Sequence, residues 1–138
     1  MRAEPGSADV RAAIASESAV VVSVLVELET LVQLKADWTG GIYTKSQWRK
    51  VELELGLLRN QPPFAFSSLP ARIFQTALRQ HRNSRGLHCR SLDRLHLAGM
   101  EELNLSRLMT HDENQAKAAM GASLLLLGRA ACVTTKVW

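Results

Sequence analysis

The chain has 138 residues and 15.2 kDa, the size of one domain whose core needs no disulfide staples. Its 46% apolar and 22% charged residues exclude a wholly disordered chain, and its longest near-apolar run, Ala19 to Val26, is too short to cross a bilayer. A net charge of +4, from 17 basic and 13 acidic residues, suits a polyanionic partner without requiring one.

In chain order, Ser7 caps a short helix to about Ser16, with Val10 and Ile14 on one face. Val20 to Val24 lies in a β-branched run and reads as a strand buried on both faces, as in a parallel sheet. Val26 to Ala36 turns helical. Leu28, Leu31, Val32 and the stem of Lys35 form its apolar stripe, with Glu29, Thr30 and Gln33 on another face. Gly40-Gly41 breaks it. Thr44-Lys-Ser-Gln47 is a capping box opening a helix to about Leu58, with Trp48, Val51, Leu55 and Leu58 inward. Pro62-Pro63 ends that element, and Phe64 to Phe66 is a short strand.

Ser68 is placed to cap a helix with Pro70 in its first turn and Ile73, Phe74, Ala77 and Leu78 inside. A basic stretch follows, interrupted by Gly86. Ser91 is placed to cap a helix carrying Leu92, Leu95, His96 and Met100 to about Asn104. Leu105 to Thr110 reads as a strand, Asp112 to Gln115 as a second cap pattern, and the helix after it runs to about Met120. Gly121 ends that helix, and Ser123 to Leu127 is a last strand. Helices alternating with short buried strands indicate an α/β/α sandwich on a parallel sheet, whose ligands bind beyond the carboxyl ends of the strands.

The sequence carries no Gly-rich phosphate loop, no zinc or metalloprotease spacing and no nucleophile elbow. Cys89 and Cys132 have no paired spacing, which argues against a disulfide framework and a zinc site. What remains are acids where strands hand over to helices: Glu29, Asp93 and Asp112. Each has a plain structural role, Asp112 as a helix cap, Asp93 against a helix dipole and Glu29 facing solvent. Together they suggest a carboxylate cluster suited to a hard cation that activates water. Arg79, His81, Arg82, Arg85, His88, Arg90 and Arg94 fall in sixteen residues holding one acid, Asp93, which reads either as a solvated loop or as a phosphate-binding surface.

Leu92-Asp93-Arg94-Leu95-His96-Leu97-Ala98, followed by Leu108-Met109-Thr110-His111-Asp112, resembles the C-terminal half of PIN domains, with the VapC-type toxins of toxin–antitoxin pairs as the nearest pattern. Ser23 to Glu29 resembles the family's Ser-x-x-Thr-x-x-Glu, with Val26 in place of the threonine. Glu4 to Ser7 resembles the segment after its first strand. The resemblance implies Glu29, Asp93 and Asp112 as ligands of Mg²⁺ or Mn²⁺, with Thr110 orienting the site. It implies an endoribonuclease that cleaves RNA phosphodiesters, a VapB-like antitoxin as partner, and a homodimer. Beside that site, Arg90 and Arg94 are candidate RNA-binding residues. Glu27 is the alternative to Glu29, which matches the family spacing.

The family pattern begins with a strand ending in Asp upstream of the Glu-Pro-Gly segment, and only three residues precede Glu4 here. The expectation is a PIN-like α/β/α domain over 1–128 without that strand and acid, and a tail over 129–138. Either Met1 is not the true start, or this is a catalytically inactive remnant that at most binds an antitoxin-like partner. A basic nucleic-acid binder without catalysis is disfavoured, because the acids repel phosphate unless metal is bound. The first residues lack a secretory signal's apolar stretch, so a cytoplasmic location without membrane attachment is expected. His96 is expected as a buried, hydrogen-bonded histidine, His111 as a weak candidate for RNA contact, and Trp38 and Trp48 as core or interface residues.

Overall fold

The computed structural model describes residues 7–85, 88–110, 113–121 and 125–126. The element order is α1 (Ser7–Ser16), β1 (Val20–Ser23), α2 (Val24–Thr39), α3 (Lys45–Leu58), β2 (Phe64–Ser67), α4 (Ile73–Asn83), α5 (Ser91–Glu102), β3 (Arg107–Leu108), α6 (Glu113–Gly121) and β4 (Leu125–Leu126). The α/β class and the parallel pairing agree with the sequence. The strands form two parallel pairs, β1 with β2 and β3 with β4. Each partner is reached through a helical crossover, as parallel pairing demands. The chain divides into two compact units, one built from β1 to β2 and the other from α1 together with α4 to β4.

In the β1–β2 unit, Val20 stands opposite Phe64 and Ser23 opposite Ser67. Val20 and Val22 are buried while Val21 and Ser23 are half-buried, so the strand alternates instead of burying both faces. Ser23 closes the strand and caps α2, its Oγ accepting from the Val26 amide. The helix therefore starts two residues before the expected Val26.

The buried stripe of α2 also differs from the expected one. Val26, Thr30 and Leu34, spaced by four, are buried, while Leu28 and Val32 are 57% and 60% exposed. Both stripes are apolar enough to pack, and the start set by the Ser23 cap decides which one turns inward. Gly40 caps the C-terminus, and Gly41 follows at φ +79°, a left-handed conformation that glycine adopts without strain. The capping box of α3 is formed as expected: the Thr44 hydroxyl accepts from the Gln47 amide and the Gln47 side chain accepts from the Thr44 amide, an arrangement worth about 1 kcal/mol. Leu55 is buried in α3, and Trp48 stacks on Trp38 of α2 with ring centroids 4.6 Å apart and planes 9° apart.

In the other unit, α4 starts at Ile73 after Arg72, not from Ser68, and Pro70 precedes it. Ile73 and Ala77 are inside as expected. Phe74 and Leu78 are 61% and 54% exposed, and Thr76 takes the inward position instead. Likewise α5 is preceded by Arg90 at its cap position with no side-chain cap, so Ser91 is its first residue and not its cap. Gly99 sits where α5 approaches the Leu69 side chain; a Cβ there would stand 3.1 Å from Leu69 Cδ2, which is why a side-chain-free residue suits this close packing. Leu97 and Met100 of α5, Leu108 of β3, and Ala118 and Ala119 of α6 make one core cluster, against which Cys89 and Leu105 pack.

The α4–α5 pair is laced by polar contacts. Arg72 and the Thr76 hydroxyl both bond the Glu102 carboxylate, and Arg79 and Gln80 bond that of Glu101. The Thr76 hydrogen bond first, and then Arg72, hold Glu102 below the usual carboxylate range; Gln80 first, and then Arg79, do the same for Glu101. A carboxylate lowered in the folded state binds fewer protons there than in the unfolded chain. Its stabilisation is present above the unfolded value of about 4.3 and is lost as pH falls through the folded value. Replacing both by Gln is therefore expected to flatten the fall in thermal midpoint as pH drops below about 4.3. A double variant whose midpoint falls as steeply as the parent's would count against this ladder.

Candidate active site

Glu29 lies in the second turn of α2 and is half-buried, five residues beyond the start of the helix that Ser23 caps. Glu27, the alternative, is taken up by an ion pair with Arg59, whose guanidinium also lies over the Phe66 ring at 4.6 Å.

Asp93 lies in the other unit, in the first turn of α5, where the helix dipole favours a negative charge. Leu97, four residues on and fully buried, shares its face, which draws Asp93 toward the interior. Its side chain keeps 15% exposure, and Arg90 Nε stands 3.3 Å from Oδ2. That oxygen is enclosed and accepts no hydrogen bond from a described residue. Arg90 itself is open to solvent, with 66% side-chain exposure.

Thr110 follows β3 by two residues and is fully buried. Its hydroxyl donates to Gln115 Oε1 at 2.6 Å, and Gln115 is equally enclosed. This bond ties the carboxyl end of β3 to the first turn of α6. Thr110 was legible in the sequence, but Gln115 stood there only as the end of a cap pattern. The five-residue step from hydroxyl to amide is the signal that pairs them. Asp112 and His111 lie outside the described residues.

Arg94 does not lie on the helix surface that its charge suggests; it is 7% exposed. His96 and Cys89 are both half-buried. No helix among the described residues is long and apolar enough to cross a membrane.

Asp93 does not follow a strand as the sequence suggested, because α5 comes directly after α4. The family model described as the PIN domain matches residues 1–120. The chain belongs to the PIN domain family. PIN domains are generally nucleases that act on RNA or other nucleic acids and use divalent metal ions. Neither the search of curated proteins nor that of solved structures finds a match.

For this PIN domain, the chemistry of Asp93 suits a hard cation: an enclosed carboxylate oxygen that accepts no hydrogen bond from a described residue, with Arg90 Nε 3.3 Å away, is the donor type that Mg²⁺ takes. Among the described residues, no three His, Cys, Asp or Glu side chains gather into a group.

Proposed function

We propose that this PIN domain is a metal-dependent endoribonuclease that hydrolyses RNA phosphodiesters, acting as the toxin of a toxin–antitoxin pair. The observation that carries the reading is the Asp93 carboxylate, enclosed at the N-terminus of α5 with one oxygen that accepts no hydrogen bond from a described residue. Family membership supplies the reaction class.

In this reading Glu29, Asp93 and Asp112 hold Mg²⁺ or Mn²⁺. Such an ion, when bound, generates a nucleophile from water and offsets the charge that develops on the phosphoryl group. The chain's own residues do the rest. Arg90 Nε, 3.3 Å from Oδ2 at the N-terminus of α5, helps to aim the Asp93 carboxylate. The Thr110–Gln115 bond fixes Thr110, which stands two residues before Asp112 in the sequence. Arg90, solvent-exposed beside Asp93, is within reach of an RNA phosphate and contributes a point of electrostatic attraction. A VapB-like antitoxin that covers the site, a homodimer and a cytoplasmic location complete the proposal.

Cleavage of a labelled RNA pool by the purified chain tests it. Cuts are expected with Mn²⁺ or Mg²⁺ and none with a chelator. Intact RNA after incubation with a demonstrably folded chain and metal would reject the nuclease reading, in favour of an inactive domain that at most binds an antitoxin-like partner.

A further inference from the structure

We propose that a pocket between α4, α5 and α6 binds a nucleotide through its phosphate, with Arg94 as the anchoring cation. The pocket measures about 440 Å³, within the range of small-molecule sites. Arg79, Gln80, Asn83, Ser84, Arg85 and Arg94 line it. The proposal goes beyond the nuclease reading, since binding here requires no metal and no cleavage.

Three observations converge. The first is Arg94. A guanidinium buried to this degree is ordinarily paired, because an isolated charge taken out of water is costly. Arg94 is 7% exposed, and its enclosed Nε has no hydrogen-bond partner among the described residues. An anion in the pocket would compensate it.

The second is the balance of charge. Arg79, Arg85 and Arg94 face a single carboxylate, Glu101, and that carboxylate is already held by Arg79 and by Gln80 Nε2 at 2.8 Å. The pocket therefore keeps a net positive charge for a ligand.

The third is Gln80. Its amide nitrogen donates to Glu101 Oε2 and to the Leu97 carbonyl at 3.4 Å, which fixes the amide orientation. Its Oε1 is enclosed and receives no donor from a described residue. The pocket thus asks for an anion and, beside it, a hydroxyl or N–H donor. Inorganic phosphate supplies chiefly the first, whereas a nucleotide supplies both through its phosphate and its ribose or base.

A nucleotide can come from an RNA strand or from the free pool, and titration separates the two. The full chain is titrated in chelator with adenosine 5′-monophosphate, adenosine, inorganic phosphate and a short 5′-phosphorylated oligoribonucleotide. The monophosphate is expected to bind and raise the melting temperature, phosphate to bind more weakly and adenosine not at all. Tighter binding of the oligonucleotide than of the monophosphate identifies a strand as the source, and the reverse order identifies a free nucleotide. Arg94→Met keeps the side-chain volume and is expected to weaken binding at least tenfold. Arg85→Ala, at an exposed position, is expected to weaken it severalfold and serves if the first variant does not fold. Absence of binding by both phosphorylated nucleosides, or equal binding by the parent and either folded variant, would overturn the proposal. Because the chelator silences metal-dependent cleavage, loss of binding and loss of nuclease activity read out separately.

Discussion

Asp93→Asn is expected to lower metal-dependent RNA cleavage by at least about 100-fold. Removing a group that merely supports a metal ligand costs about 10–100-fold in metal affinity or activity, and Asp93 is proposed as a ligand itself. The substitution keeps the shape of the side chain and removes its charge. The ion pair with Arg90 is lost, but Arg90 is 66% exposed, and such pairs are worth about 0–1 kcal/mol. Thermal unfolding should therefore change little. Cleavage by Asp93→Asn at the parent's rate, with the same metal, would remove Asp93 from the site. A large drop in melting temperature would show that its role is structural. Parallel assays of Arg90→Ala separate the two functions of that neighbour. Weaker RNA binding with an unchanged turnover at saturation marks a phosphate contact, and a lower turnover marks help in aiming Asp93.

Leu97→Ala is expected to destabilise the chain by about 2–5 kcal/mol. Leu97 is fully enclosed in the cluster that joins α5 to β3 and α6, so its removal leaves a cavity that rigid helices cannot fill. Against a typical total of about 5–15 kcal/mol, that loss leaves little margin. Leu53→Ala is the matched control, since Leu53 is 66% exposed and its truncation should stay within about 0.5 kcal/mol. Chemical denaturation of the two variants beside the parent checks both figures, and equal losses would contradict the burial pattern. The effect reaches the site as well. Asp93 stands one turn before Leu97 on the same face, so a loosened α5 should weaken metal-dependent cleavage before the fold is lost.

What the sequence revealed depended on whether the signal was local. The capping box at Thr44 and Gln47 is a four-residue agreement, and the structure contains it as read. The break at Gly40 and Gly41 was legible for the same reason. The face of α2 was not, because Val24 to Leu34 offers apolar residues on more than one side of the helix. Only the Ser23 cap, two residues earlier than expected, selects Val26, Thr30 and Leu34. In α4, Phe74 and Leu78 looked like core, but the inward place went to Thr76, whose hydroxyl bonds Glu102 on a helix distant in sequence. No periodicity reports such a partner.

The candidate site divides along the same line. Asp93 and Thr110 stood out through their positions after a helix start and a strand end. Arg94 stood out as charge alone. Charged residues are rarely buried, so a surface was the natural expectation, and its enclosure depends on how α4, α5 and α6 meet. The excess of arginine over acid between Arg79 and Arg94 was the one sequence signal pointing there, without indicating a pocket.

The stacked indoles of Trp38 and Trp48 have a use in testing cooperativity. They lie 4.6 Å apart and nearly parallel, close enough for their excited states to couple and to give a paired circular-dichroism signal that vanishes when α2 and α3 separate. Both rings belong to the β1–β2 unit, whereas Leu97 belongs to the other. A chain that melts as a single two-state system must show the Leu97→Ala loss in the indole signal. A chain whose units melt independently would keep that signal at the parent's midpoint while helix elsewhere is lost. One optical band can thus report whether damage at the core beneath Asp93 is felt by the helix that carries Glu29.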